Sequence, residues 1–275
     1  MKISISIVLY NNSIPMLQKT IRSVLNTTLD ITLYLIDNSP IDTLNIFASM
    51  DAQIKYLHNP SNPGYGAAHN IAITNSIKSG TKYHLVLNPD VYFEDGILEH
   101  IFNYMNSHSD VGLLMPKVLY PNGDIQYLAK LLPTPWDLFA RRFIPIKSYL
   151  DKLNRRYSLT FFDYSSIVEI PFISGCFMFL RTDTLKQVGL FDENYFMYLE
   201  DADLSRRIGT VTKTVLYPHV HIYHEYERGA YKNFRLLWIF IRSTFTYFNK
   251  YGWFFDIHRK KINQQTLQQL GWIES

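Results

Sequence analysis

The stretch FMYLEDADLSRRI, Phe196 to Ile208, sets Glu200, Asp201 and Asp203 within four positions and follows them with Arg206 and Arg207. This much like charge behind a largely apolar run has two readings. Carboxylates favour the positive end of a helix dipole, so a helix starting here would gain from them. Alternatively, one carboxylate is a general base and its neighbours hold a metal or an acceptor hydroxyl. The arginines lie about one turn further on and can pair back with Asp203. Three more polar residues stand where chemistry is often done: Asn11 after ISISIVLY, Asp37 in ITLYLIDNS and Asp90 in YHLVLNPDV. Each falls at the carboxyl end of a strand-like run, and in parallel α/β sheets ligands sit beyond those ends.

The elements that would position these residues follow from periodicity. Ile3 to Tyr10 is β-rich. Ser13 can cap a helix with Pro15 in its first turn, and Leu17, Ile21, Val24 and Leu25 form its apolar stripe. Strands ITLYLIDNS and IKYLHNP follow, then the loop NPGYGAAHN running into a helix, then YHLVLNPDV. This alternation predicts a mainly parallel sheet with helices on both faces. GLLMPKVLY is a further strand. Residues 121 to 165, with Pro121, Pro133, Pro135, Pro145 and the pairs Arg141-Arg142 and Arg155-Arg156, read as an irregular, partly mobile lid or acceptor region. IVEIPFISGCFMFL returns to strand character with a break at Gly175, RTDTLKQVG is a short helix closed by Gly189, and KTVLYPHVHIYHE is a last strand. Asn233 to Phe248 is helical and aromatic.

Composition narrows the class. The 275 residues are 47% hydrophobic and 19% charged, which is globular, and the net charge of +3 is too small to suggest nucleic acid. A single cysteine, Cys176, excludes an internal disulfide and fits a reducing compartment. MKISISIVLYNN lacks the apolar core and cleavage site of a signal peptide, and no run of 18 apolar residues occurs. A cytoplasmic enzyme is expected.

Taken in order, SIVLYNN, LYLIDNS, NPSNPGYGAAHN, LNPDV, ISGCFMFLRTDTLKQVGLFDENYFMYLEDADLSRRI and HIYHEYERGAYKN resemble the inverting glycosyltransferases of family 2, with the GT-A fold, and among them the rhamnosyltransferase-like members. The resemblance covers residues 1 to about 235. It implies a catalytic domain over residues 1–232, with a nucleotide-binding half at 1–110 and an acceptor half at 111–232, followed by a C-terminal amphipathic helical extension at 233–275. The fold it implies is an α/β, mainly parallel mixed sheet flanked by helices.

The resemblance also implies roles. Asp201, the aspartate of the Glu-Asp pair, is the general base, with Glu200 and Asp203 positioning the acceptor or the loop, or raising the pKa of Asp201 through like charge. Asp37 reads the imide N–H of a pyrimidine, where the bland reading is a turn-forming Asp. Asn62, Gly64, Gly66 and Asn70 lie against the nucleotide sugar, and a helix N-terminus there suits a diphosphate. His69 stands where a dinucleotide motif would want its third glycine, so that motif is not matched. In LNPDV the family's metal-binding D-x-D is reduced to Asn88 and Asp90. Asn88 can still offer a carbonyl oxygen, and Asp90 with His224 is expected to bind Mg²⁺ or Mn²⁺. His219 and His221 share a strand face, whereas His224 falls past the strand end, where a site would be. Asn11 and Gly175 line the substrate site, and Arg228 and Lys232 face the leaving diphosphate. The partners are then a nucleotide-diphosphate sugar, best guessed as dTDP-L-rhamnose, and a glycan or lipid-linked acceptor in cell-surface polysaccharide (O-antigen) synthesis.

Peripheral contact with the inner face of the membrane is suggested by Phe234, Trp238, Ile241, Phe245 and Phe248 on one helical stripe, by Lys232, Arg235, Arg242 and Lys250 on another, and by the basic run Arg259, Lys260 and Lys261. The alternative is that the aromatic stripe packs on the core. Rival functions are a UDP-sugar-dependent transferase of the same family, a sugar nucleotidyltransferase, and a non-catalytic glycan-binding module. The second would want a glycine-rich loop after the first strand, where LYNNSIPMLQK has none; the third would not need the Glu200-Asp201 pair.

Overall fold

The structure, a computed structural model, describes residues 2–143, 147–225 and 234–272. Its strands in chain order are β1 (Lys2–Leu9), β2 (Asp30–Asp37), β3 (Ile54–His58), β4 (Tyr83–Leu87), β5 (Val91–Tyr92), β6 (Val111–Leu119), β7 (Ala129–Lys130), β8 (Val168–Glu169), β9 (Phe172–Ile173), β10 (Phe177–Arg181) and β11 (Lys213–His224). The helices are α1 (Ile14–Leu25), α2 (Tyr65–Lys78), α3 (Ile97–Ser107), α4 (Pro135–Phe143), α5 (Lys147–Tyr157), α6 (Thr182–Val188), α7 (Glu200–Ile208), α8 (Phe234–Tyr251) and α9 (Ile257–Gln269).

One large sheet runs β3-β2-β1-β4-β10-β6-β11-β5. Its first four strands are parallel, and β10 enters antiparallel between β4 and β6. Strands β1, β2 and β4 are buried on both faces, which explains their near-continuous apolar runs. The serines of β1 are the exception and have partners. Ser6 Oγ lies 2.6 Å from His69 Nδ1 on α2 and 2.8 Å from His84 Nε2 on β4, and Ser76 Oγ lies 2.8 Å from His84 Nδ1. Burial holds both imidazoles neutral: His69 falls well below its ordinary pKa and His84 falls to about 3. This polar ladder seats α2 on the sheet.

The ends of β6 and β11 are set by a slip in register. Tyr217 pairs with Pro116, yet His221 pairs with Lys117, so residues 218–220 bulge out of the ladder. Neither Pro116 nor Pro218 has an N–H to give the ladder, which is where a bulge is tolerated. The slip carries His224 to the end of β5, opposite Val91.

Residues 121–143 and 147–165 are more regular than their prolines suggest. They hold β7, α4 and α5, and Leu131, Leu132, Tyr157 and Leu159 are core residues. The start of α4 is a capping box written in TPWD. Asp137 Oδ2 accepts from Thr134 N and Thr134 Oγ1, and Asp137 N donates back to Thr134 Oγ1 at 3.1 Å.

The C-terminal helices pack on the catalytic half. Tyr247 and Phe248 are fully buried, and Asn263 pairs with both the N–H and the C=O of Leu132 at 2.9 Å. The aromatic stripe expected on α8 therefore divides. Phe248 belongs to the core, whereas Phe234, Trp238 and Phe245 are exposed. The basic run also divides: Arg259 is buried and donates to the carbonyls of Pro133, Gly252 and Trp253, leaving only Lys260 and Lys261 in solvent. No helix among the described residues is long and apolar enough to cross a membrane.

Candidate active site

The chemistry collects beyond the carboxyl ends of β1, β2 and β4 and at the start of α7. That helix begins abruptly. Tyr198 and Leu199, directly before it, take φ values of 74° and 66°, a left-handed turn that costs roughly 1–2 kcal/mol per non-glycine residue. The turn delivers Glu200 and Asp201 to the first helical positions, beneath the break at Gly175. Gly175 N donates to Asp201 Oδ2 at 2.9 Å, and Ala202 N donates to Oδ1 at 2.9 Å. A Cβ on Gly175 would sit 3.4 Å from the Tyr65 ring and 3.5 Å from Asp201 Cβ, ordinary contact distances, so the carboxylate and the phenol pack directly against this turn.

Burial raises the pKa of Asp201, and the Gly175 N–H and the positive charge of Lys130 act against that rise. Burial, then the Asp201 charge, pushes Glu200 well above the ordinary range. Glu200 is 5% exposed, and its Oε2 has no hydrogen-bond partner among the described residues. Two carboxyls side by side in one dry corner resist ionising together, so the pair shares its protons, which suits a base beside a proton-bearing neighbour.

Asp203 is different. It is fully buried, its oxygens accept from Arg207 Nε at 2.8 Å and Tyr251 Oη at 2.7 Å, and Lys250 Nζ pairs with it at 2.7 Å. These contacts bolt α7 to α8, so Asp203 positions the helix that carries Asp201. Arg207 pairs back with it as the spacing suggests, whereas Arg206 turns to Asp256, with contacts of 2.6 and 2.9 Å in a buried bidentate pair.

Asn88 and Asp90 lie at the end of β4. Asn88 N donates to Cys176 O at 2.9 Å, and Asn88 Oδ1 accepts from Tyr65 Oη at 2.9 Å, while the same phenol lies 2.8 Å from Gly175 O. Tyr65 therefore ties the NPD loop to the Gly175 turn. Burial raises the Tyr65 phenol, with the charges of Glu200, Asp201 and Asp90 adding to the rise. Cys176 is buried and its thiol is pushed up to about 12 by that burial, with Asp90 and Asp201 adding, so it is inert as a nucleophile.

Asp90 Oδ1 faces His224 Nε2 at 3.3 Å. The other side of the imidazole fixes its tautomer. Gln126 Nε2 donates to His224 O at 2.7 Å, so Gln126 Oε1 is the atom 2.9 Å from Nδ1. An amide oxygen only accepts, hence Nδ1 carries a proton and Nε2 is the ring atom turned toward the carboxylate. An imidazole nitrogen beside a carboxylate oxygen is a donor set that fits a divalent metal of the Mg²⁺ or Mn²⁺ kind. His219 is exposed, and His221 packs on the Tyr223 ring.

Asp37 ends β2 with no exposure. Its Oδ1 accepts from Ser39 N at 2.9 Å and its Oδ2 from Tyr56 Oη at 2.6 Å, while the same hydroxyl lies 2.6 Å from exposed Asp42. Burial raises the Tyr56 phenol above its ordinary range, and both carboxylates add to the rise. One phenolic proton serves one carboxylate at a time, so this corner holds a surplus acceptor. Oxygens of Asp37 and Asp42 and a ring nitrogen of His58 come within 4.8 Å of one another, a grouping that could also hold a cation. Asn11, with φ of 51°, donates its N–H to Ser39 Oγ at the same edge.

The α2 loop departs from expectation. A Cβ on Gly64, whose φ is +107°, would lie 2.3 Å from Phe196 O, and one on Gly66 would lie 2.8 Å from Phe191 Cβ. Tyr65 N donates to Phe196 O at 2.8 Å, and Asn70 pairs with both the C=O and the N–H of Phe191. The N-terminus of α2 is thus engaged by the chain leading into α7, with Gly64, Gly66 and Asn70 packed against Phe196 and Phe191. Asn62, at φ of 44°, shapes the preceding turn. Arg228 and Lys232 lie outside the described residues. Tyr65, Gln126, Tyr56 and Asp42 were not singled out in the sequence. The spacing of Tyr65 in NPGYGAAHN was the one visible signal, since an aromatic between two loop glycines must point somewhere.

A parallel four-stranded half with an antiparallel strand inserted beside β4, and carboxylates gathered beyond the strand ends, match the GT-A fold. The chain belongs to glycosyl transferase family 2, whose sequence model matches residues 4–189. It is similar to an N-acetylglucosaminyl-diphospho-decaprenol L-rhamnosyltransferase of Mycobacterium tuberculosis, 24% identical over 238 residues, covering 76% of this chain and 72% of that one. Its fold is similar to a crystal structure of GalNAc-T7 with UDP, GalNAc and Mn²⁺, with TM-score 0.61 and 16% identity over 83% of this chain and 44% of that one. It is also similar to S. aureus TarS 1-349, with TM-score 0.55 and 17% identity over 82% and 60% of the two chains. The chain therefore spans less than two thirds of either of these two solved relatives.

Proposed function

We propose that this transferase moves L-rhamnose from dTDP-L-rhamnose, with inversion, onto a lipid-linked glycan acceptor in cell-surface polysaccharide assembly, O-antigen being one such product. The observation that carries the proposal is Asp201, aimed by a strained turn and fixed by the Gly175 N–H. The family match ends at residue 189, before α7, so the role of Asp201 rests on this geometry.

In this reading Asp201 takes the proton of the acceptor hydroxyl as it attacks the anomeric carbon from the face opposite the departing diphosphate. Glu200, beside it, holds the hydroxyl. Asp90 and His224 hold Mg²⁺ or Mn²⁺, which when bound neutralises charge on the diphosphate. Asp37, Tyr56 and Asp42 face the pyrimidine edge, where the surplus acceptor matches an imide N–H. The name of the mycobacterial relative supports both the sugar and a lipid-linked acceptor. A UDP-sugar is the second donor reading, favoured by UDP in a related fold and by the imide that thymine and uracil share. A hollow of about 250 Å³ between the 194–196 segment and α8, lined by Trp238, Arg235 and Arg242, suits a ring-bearing anionic acceptor. The domains proposed are the catalytic unit ending near 232 and the helical extension beyond it, working at the inner face of the cytoplasmic membrane.

A thermal-shift screen with dTDP, UDP, GDP and CDP, each with and without Mn²⁺, tests the donor. A ligand that binds only the folded state raises the melting temperature by mass action. A shift confined to dTDP or UDP that grows with metal is expected. A shift with GDP alone, or none with any nucleotide, would overturn the assignment.

A further inference from the structure

The turn between α8 and α9 presents three large apolar side chains in four residues: Phe254 is 78% exposed, Phe255 97% and Ile257 85%. Looseness of the turn does not explain this. Asp256, between them, is buried, caps α9 through Arg259 N at 2.9 Å and is gripped twice by Arg206. Arg259 holds the carbonyls of Gly252 and Trp253 from below. The backbone is clamped, and the phenyl rings stand out from it.

The patch continues. Trp253 stacks edge-on to exposed Phe245 at 5.0 Å, and Trp253 and Phe254 share a hollow of about 440 Å³ with Trp136, itself 55% exposed. A contiguous apolar surface on a rigid frame usually marks something that covers it. The charge around it says what. From residue 234 to 272 the only acidic residue is Asp256, which is neutralised by Arg206, whereas Arg235, Arg242, Lys260 and Lys261 are all exposed. A second copy of the chain would bring this cationic rim against itself. An anionic bilayer would accept the aromatic side chains in its interface and the cations at its headgroups.

We propose that the Phe254–Phe255 turn, flanked by Trp136, Phe245, Lys260 and Lys261, inserts into an anionic lipid bilayer. The surface differs from the full α8 stripe read in the sequence, whose end is in the core. It rests on the proposed function only for its purpose. Arg206, which anchors the turn, lies on the helix that starts with Glu200 and Asp201, five residues or about 7.5 Å along its axis from Asp201. The membrane contact is thereby fixed in orientation to the base, as a lipid-linked acceptor requires.

The test is co-sedimentation of the purified full chain with vesicles of phosphatidylcholine alone or mixed with phosphatidylglycerol, for the wild type and the double variant Phe254→Ser/Phe255→Ser. The wild type should bind the mixed vesicles and the variant about tenfold less or weaker, with an unchanged melting temperature and an unchanged dTDP or UDP shift. Lys260→Glu/Lys261→Glu should lose the preference for phosphatidylglycerol. Wild type that stays in the supernatant, a serine variant that binds as wild type, or a Phe254-dependent dimer in sedimentation velocity would each overturn the proposal. Nucleotide binding is read separately, so a wrong donor assignment and a wrong membrane surface give different results.

Discussion

Replacing Glu200 by Gln should make the protein more stable at neutral pH while impairing its chemistry. Gln keeps the shape of the side chain and removes the ionisation. Glu200 is 5% exposed, sits beside Asp201, and has an oxygen without a hydrogen-bond partner among the described residues. Gln leaves that atom unpaired too, so what separates the two proteins is the ionisation, worth about 1.4 kcal/mol for each tenfold rise in proton affinity. The variant should therefore gain at least about 1 kcal/mol at pH 8, a rise in Tm of about 2–4 °C per kcal/mol. The pH dependence follows from the raised pKa. In the unfolded chain a glutamate ionises near pH 4.3, and in the folded chain Glu200 does so higher. Below the unfolded value both states are protonated and the two proteins should melt together. As pH rises past it the unfolded state gives up its proton first, and the wild type loses stability until the folded carboxyl also ionises. The gap should open upward from about pH 4.5 and then level off. Paired melts across this range give the answer. Curves that coincide at every pH, or a variant less stable at pH 8, would refute the reasoning.

Three further outcomes follow from the site and its supports. Asp256→Ala leaves Arg206 buried without its partner and should cost about 3–5 kcal/mol at pH 7 by urea unfolding. Burial alone would raise Asp256, but the Arg206 guanidinium holds it below the usual carboxylate range, so this contribution is present above about pH 4 and is lost as pH falls below it. Gln126→Leu removes the acceptor that fixes the His224 tautomer and should weaken Mn²⁺ binding about 10–100-fold in calorimetry, whereas unchanged affinity would detach His224 from the metal. Gly64→Ala drives a Cβ to 2.3 Å from Phe196 O at a φ of +107° and should destabilise the chain by about 1–3 kcal/mol in urea unfolding, with nucleotide affinity falling as the loop before α7 shifts.

The parallel half of the fold was legible because its strands are buried on both faces and end in polar residues, as at Asp37 and Asp90. Asp201 stood out because like charges beside an apolar run are costly without a reason. Asp203 looked equivalent in the sequence, since nothing local tells which carboxylate turns to solvent and which to Lys250 and Tyr251 from a distant helix. Gly64 and Gly66 were only partly legible for a similar reason: a loop glycine signals close approach without naming what approaches, and Phe196 and Phe191 of the same chain lie against them. The 121–165 region was read from its prolines, although TPWD already spelled a helix start. Gln126 was invisible because its value lies wholly in a contact 98 residues away in the chain.

The most direct test of the whole account sets wild type and Asp201→Asn side by side with dTDP-L-rhamnose, Mn²⁺ and a synthetic N-acetylglucosaminyl-diphospho-prenol, reading transfer by mass spectrometry and dTDP binding by thermal shift. The account predicts that the variant loses transfer by about 10²–10⁴-fold and binds dTDP as the wild type does. Transfer by the variant at the wild-type rate would contradict it.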